Sequence, residues 1–402
     1  MPLFSRGSPP LIKKIDHPRI QIFLYGFVVF LFWMSLNLYA PTLPNYIKTL
    51  TNDLAMTGVI LGMYGLFGTV IRLPLGIAAD WLGRGKSLFF VGIVLEGVAA
   101  WLMGTAQDAN MLMVGRAISG LAAAAWVVVV VSFSNMFPKE EAVRATVILT
   151  MIPSFGRLLG SLCTGWLNEL GGYPLAFFVS TGSAGLALLF LIPVQEKKNR
   201  VQIPSLASFA RFLARRDVLV TSFLNGIGQY AVMGAVFGFI PILAQRLGAG
   251  NILLGLLGTV YVIIYLLGNS AATALNRRVR NRTLVKIGIL FLAAGFGFAA
   301  IGPSLAWIFI AQACFGFSGG ISYPVIMGMC MENVPPNERS TVMGLHQTIY
   351  SIGIFVGPWL SGILADAIGL QPMFGVTAFA CFSLGLLGVH FLPVIKMRSA
   401  VS

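Results

Sequence analysis

The chain has 402 residues, of which 57% are hydrophobic and 10% charged, with 46 glycines and a formal net charge of +14. A water-soluble domain of this length could not bury that much apolar surface, so soluble enzymes and soluble binding modules are excluded. The positive excess has to be located along the chain before it is read as an affinity for nucleic acid.

A helix needs ~20 apolar residues to cross a hydrocarbon core of ~30 Å. Apolar runs separated by short polar breaks predict spans at 20–42, 54–78, 87–105, 110–136, 145–168, 174–194, 218–243, 252–275, 284–302, 305–331, 341–366 and 372–393. The expected fold class is an all-α membrane protein of twelve transmembrane helices. The first run continues past Trp33 and Asn37 without a small-residue cleavage pattern, so it reads as a span and not a signal peptide. The second ends in Gly76-Ile-Ala-Ala-Asp80-Trp-Leu-Gly83-Arg84-Gly-Lys86, with Arg72 two turns before Asp80. The third carries Glu96, the fourth Arg116 and Gly120, and the fifth Gly156-Arg157-Leu-Leu-Gly160-Ser161.

Residues 195–217 break the apolar pattern with Lys197, Lys198, Arg200, Arg211, Arg215 and Arg216, and predict a basic linker between halves at 1–194 and 218–402. Shifting the second half back by 197 positions places Gly353, Gly357, Gly362, Gly369 and Phe374 on Gly156, Gly160, Gly165, Gly172 and Phe177. Pro241 likewise falls on Pro44 and Gly255 on Gly58. The halves are therefore pseudo-symmetric six-helix units. With the N-terminus inside, 22 of the 27 Lys and Arg residues fall in cytoplasmic segments, which predicts a multi-pass protein of the cytoplasmic membrane with both termini cytoplasmic. The net charge is a topology signal, and no nucleic acid is expected. The four cysteines lie singly in apolar runs and the three histidines form no cluster, so neither metal nor cofactor is expected.

The stretch from Gly76 to Lys86 resembles the G-x-x-x-D-x-x-G-R-x-K/R signature of the major facilitator superfamily. Ala272-Thr-Ala-Leu-Asn276, followed by Arg280 and Arg282, is similar to its degenerate second copy, and Arg116 with Gly120 to the family's R-x-x-x-G pattern. Drug/proton antiporters of that family carry G-x-x-x-G-P in the fifth span, where this chain has Ser161. The resemblance, over Ile20 to about Pro393, implies a secondary transporter moving a small organic solute by alternating access, with export one possible direction. Uptake or exchange of an organic anion is the alternative, and a non-transporting sensor is the reading from another class. The expected partners are a small-molecule substrate, the bilayer, and protons or another coupling ion, for a chain acting as a monomer and not as an enzyme.

Arg157 is replaced by Ile354 in the second half, and a guanidinium inside a membrane is costly unless compensated. One reading pairs it with Glu96 or with backbone carbonyls. The other has it line a central cavity with Arg116 and meet an anionic group. The resemblance adds Trp33, Asn37, Gln229, Tyr230, Gln312 and Tyr323 as candidate cavity residues. It also makes Arg72, Gly76, Asp80, Gly83, Arg84 and Lys86 a cytoplasmic gate. His346 and Glu96 are the candidate proton carriers, because no acidic residue lies within spans 1, 4, 7 or 10 except Glu332 at an end.

Overall fold

The computed structural model describes residues 18–82, 85–134, 136–137, 141–195, 211–275, 278–332, 334–335 and 338–392, without the side chains of 73, 80–82, 142–147, 150 and 339–341. Within them the chain is helical, with no strand. In chain order the helices are α1 (Pro18–Asn37), α2 (Leu43–Leu50), α3 (Leu54–Leu82), α4 (Gly85–Gly104), α5 (Ala109–Ala123), α6 (Trp126–Ser134) and α7 (Ala142–Leu191). There follow α8 (Arg216–Ala231), a π-helical stretch (Val232–Phe239), α9 (Ile240–Arg246), α10 (Asn251–Leu275), α11 (Asn281–Ile301), α12 (Leu305–Met331), α13 (Arg339–Ile368) and α14 (Leu370–Phe391).

Eleven helical segments among the described residues are long and apolar enough to cross a bilayer. One of them belongs to the 50-residue α7, whose path is broken by non-helical backbone at Gly171 and Gly172. Gly172 has φ 69°, a left-handed conformation that glycine adopts without a Cβ clash. Divided there, α7 supplies two passes and the total is twelve.

Three spans differ from the sequence expectation in their continuity. The first stops at Asn37, because Pro41 and Pro44 deny the following turn its backbone donors, and the chain restarts as the short α2. The fourth is interrupted between α5 and α6 at Ala124 and Ala125. The seventh passes through the π-helical stretch before α9. A π-helix offsets side chains relative to an α-helical register, so the faces of α8 and α9 cannot be aligned by simple periodicity.

Large apolar side chains point outward, including Phe23, Leu170 and Phe379 at 70%, 79% and 75% exposure. Water would penalise such a girdle and lipid would not. Helices in lipid gain little from burying apolar area against one another, so close packing by small residues holds the bundle together. In the first half α1 and α4 pack on α7 and α5 packs on α3 and α4; in the second α10 and α11 pack on α12, α14 packs on α11, and α8 packs on α13. The halves meet along two seams, α3 against α13 and α7 against α10. We call the face with the α1–α3 turn distal, and the face where α1 begins proximal.

Both seams are tight at their distal ends. A Cβ on Gly58 of α3 would strike the Pro358 carbonyl and the Gly362 backbone of α13, and one on Gly165 of α7 would lie 2.7 Å from the Asn251 carbonyl oxygen. Beside them, Asn45 of α2 donates through Nδ2 to the Pro241 carbonyl at 3.1 Å and to Gln245 Oε1 at 2.7 Å. The distal ends of the two halves are thus in contact.

Candidate substrate site between the halves

The packing of α1 on α7 positions the first functional group. Gly156 and Gly160 remove side chains from the α7 face that meets α1, where a Cβ on Gly156 would lie 2.8 Å from the Phe30 carbonyl oxygen. The neighbouring Arg157 then lies with its guanidinium carbon 4.4 Å from the centroid of the Trp33 ring. Cation–π contact stabilises such a pair by ~0.5–1 kcal/mol when exposed and ~2 or more when desolvated, without neutralising the charge. Trp33 is edge-on to Trp126 of α6 at 5.5 Å, and its buried indole Nε1 has no hydrogen-bond partner.

Arg157 is half-buried and within electrostatic reach of Tyr64 on α3, Tyr261 and Tyr265 on α10, and Tyr323 on α12. Its charge therefore bears on aromatic hydroxyls of both halves. Tyr323 hydrogen-bonds Tyr350 of α13. No ion pair involves Arg157 among the described residues. The Glu96 pairing considered from sequence is not formed: that carboxylate is wholly buried and bonded to Tyr39 and Ser119 instead.

Arg116 is buried and lies over the Tyr64 ring at 4.5 Å, with Nε unpartnered. The site thus contains two guanidinium groups spread on aromatic faces, one facing the seam between the halves and one behind it. Such a site suits a ligand that brings its own negative charge and a flat apolar body.

Other sequence candidates are placed differently. Asn37 donates to the Trp33 carbonyl at 2.8 Å and closes the end of α1. Tyr230 pairs with Ser361 at 3.0 Å and joins α8 to α13 within the second half. Gln312 is fully buried and donates to the Leu257 carbonyl at 3.3 Å, joining α12 to α10. Gln229 is half-buried on α8. His346 is also fully buried, with Nδ1 at 2.9 Å from Ser222 Oγ and Nε2 at 3.1 Å from Asn225 Nδ2. An amide nitrogen only donates, so Nε2 accepts and Nδ1 carries the proton toward Ser222, a neutral imidazole with both nitrogens satisfied.

Of the gate candidates, Arg72 donates to Ser351 Oγ across the α3–α13 seam and lies 6.0 Å from the Tyr350 ring centroid. Lys86 ties the start of α4 to the end of α7 through the Ile192 and Val194 carbonyls at 2.8 and 2.6 Å. Gly76 is half-buried in α3. Gly83, Arg84 and the side chain of Asp80 lie outside the described residues.

Sequence reasoning missed Tyr64, Trp126, Tyr261 and Tyr265. The four-residue spacing of Tyr261 and Tyr265, one turn apart on one helix face, was the available signal.

The sequence profile of the Major Facilitator Superfamily matches residues 25–243 and again 218–401. The chain belongs to this superfamily. An uncharacterized transporter of this type from Methanocaldococcus jannaschii is 21% identical over 377 residues, covering 91% of this chain and 97% of that one. A class E tetracycline resistance protein of Escherichia coli is 23% identical, covering 85% of this chain and 86% of that one. A solved nucleoside transporter is similar at TM-score 0.79 and 14% identity, covering 94% of this chain and 100% of that one. The superfamily consists of membrane transporters acting on small molecules, not of enzymes, and this member is a multi-pass membrane protein.

Proposed function

We propose that this superfamily member carries a small organic anion with a flat, apolar body across the cytoplasmic membrane by alternating exposure of the site between its halves. The supporting observation is Arg157, half-buried on Trp33, within reach of tyrosines of both halves, and without a carboxylate partner among the described residues. A carboxylate or sulfonate that accepts two N–H bonds from the guanidinium would compensate that charge, and the surrounding rings would cover the ligand body. The bias of Lys and Arg supports a cytoplasmic proximal face holding both termini. The distal contacts then describe a state closed to the outside. The resistance protein among the relatives supports outward movement.

Thermal shift of the purified protein with 2-naphthalenesulfonate, 2-naphthol and 2-naphthylmethylammonium tests the charge preference on one ring system. The anion is expected to raise the apparent stability and the other two to leave it unchanged. Equal or larger shifts from the cation or the neutral compound would refute the anion reading.

A further inference from the structure

A second polar cluster lies in the first half, away from Arg157. Glu96 of α4 is wholly buried, as are Ser119 of α5 and Tyr39 in the turn after α1. Tyr39 Oη is 3.0 Å from Glu96 Oε1, Ser119 Oγ is 3.0 Å from Glu96 Oε2, and Tyr39 Oη is 3.0 Å from Ser119 Oγ. Stacking on Phe177 at 4.7 Å fixes the Tyr39 ring. The three groups therefore form a closed ring of three oxygen–oxygen contacts.

Counting hydrogens decides the protonation of this ring. The two hydroxyls bring one hydrogen each. If Glu96 were ionised, both would point at the carboxylate, and the Tyr39–Ser119 contact would set oxygen lone pairs against each other. With a proton on Glu96 every contact holds one hydrogen: Tyr39 donates to Oε1, Oε2–H donates to Ser119, and Ser119 donates to Tyr39. Donors and acceptors then run in one direction round the ring, which is the arrangement that strengthens each bond.

The charged and titratable groups around Glu96 are few. From α5 there is Arg116, three residues before Ser119 and so on the same face, and from α3 there is Tyr64 beneath Arg116. From α7, Thr181 donates to the Gly97 carbonyl at 3.4 Å and Ala184 packs on Gly97, and neither titrates. Among the described residues no ion pair joins Arg116 to Glu96. An ionised carboxylate here would carry its desolvation cost without a contacting cation.

We propose that Glu96 is the binding site of a coupling proton, loaded in the state captured here, with Arg116 as the group that senses its release. When Glu96 is neutral, Arg116 lies on Tyr64. When the proton leaves, the carboxylate gains a charge and Arg116 leaves Tyr64 to pair with it. Tyr64 is at the point where α3 meets α5, since a Cβ on Gly120 would strike its backbone, and the next residue, Gly65, packs on Ile354 and Phe355 of α13. The choice made by Arg116 is thereby transmitted to the α3–α13 seam, which must open and close in alternating access. The coupling role rests on the transport reading above, and the protonation of Glu96 does not.

Two measurements separate these parts. Infrared difference spectroscopy of the purified protein in nanodiscs, titrated with alkali, is expected to show a protonated-carboxyl C=O band that is lost as pH rises and is absent in Glu96→Gln. Absence of that band from the wild type, or its survival in Glu96→Gln, overturns the assignment. Glutamine keeps the shape of the neutral acid and one donor, so the variant is expected to fold. Ser119→Ala, which opens the ring without touching the carboxyl, should shift the frequency of the band, and an unmoved band would refute the ring. In proteoliposomes, accumulation of 2-naphthalenesulfonate driven by a pH gradient is expected to be lost in Glu96→Gln while counterflow, which moves no net proton, continues. Gradient-driven accumulation equal to wild type would overturn the coupling role. If the wild type does not transport 2-naphthalenesulfonate, the anion reading fails while the infrared result still decides the proton site.

Discussion

Bulk placed at the α7–α10 seam should open the distal face. A Cβ on Gly255 would lie 2.9 Å from the Gly165 nitrogen, 3.0 Å from the Ser161 carbonyl oxygen and 3.3 Å from the Gly165 Cα. These are backbone atoms of the opposite half, which cannot rotate aside as a flexible side chain could. Gly255→Val therefore forces the helices apart, and overpacking of this kind costs ~1–3 kcal/mol. The cost falls on the closed state alone, because the halves separate here when the distal face opens. It converts to a shift of roughly 5–150-fold toward the distal-open population, enough to make a minority of a few per cent comparable to the majority. Electron–electron distance measurements between spin labels at Gln107→Cys and Gln371→Cys, both exposed on the distal face, would record the shift in a background without the native cysteines. Gly182→Val is the control, since no atom lies within 4 Å of the Cβ position at Gly182. An unchanged distance distribution in folded Gly255→Val protein, or an equal shift in Gly182→Val, would refute the reasoning.

Asn45→Ala removes the two distal hydrogen bonds to Pro241 and Gln245 and should lengthen the same label distance, at ~0.5–1.5 kcal/mol for each bond lost; an unmoved distribution would mean the contact contributes nothing to closure. Arg157→Ala should weaken 2-naphthalenesulfonate binding by more than tenfold, from the ~1.5–3 kcal/mol of a charged hydrogen bond, while Arg157→Lys retains part of it; quenching of tryptophan fluorescence measures both, and wild-type affinity in the alanine variant would make Arg157 structural. Burial and then the nearby Arg246 hold the Lys48 ammonium below the usual lysine value, so the closed state binds that proton less well than an open state in which Arg246 is remote. Closure is therefore penalised most below the lowered value and gains as pH rises toward the ordinary ~10.4, and Arg246→Gln should flatten that dependence in the label distances.

Hydrocarbon as the surrounding solvent made the spans legible. It forces every crossing segment to be long, apolar and helical, and a linear pattern records this directly. Arg157 was legible for the same reason, as a cation that must be compensated, and the 197-residue repeat made its lack of a counterpart visible. Its resting place on Trp33 was not, because 124 positions separate the two and only the glycine-lined approach of α7 to α1 joins them. The same limit applies to the candidates from cavity-lining spans: Tyr230 and Gln312 belong to helices of the right kind, but rotation about the helix axis turns them onto Ser361 and Leu257. Sequence periodicity fixes such rotations only when one face is polar, and these helices are apolar all round.

The sequence by itself thus determined the solvent, the fold family and the two-fold repeat, because each is written in composition, period and local motif. The tertiary structure alone decided which polar groups meet. Glu96, Tyr39 and Ser119 lie on separate segments, 57, 80 and 23 positions apart, and nothing local marks them as partners. In a membrane interior an unpaired polar group is costly, so helices settle where such groups find one another, and the number of hydrogens available at the meeting point sets the charge each one carries.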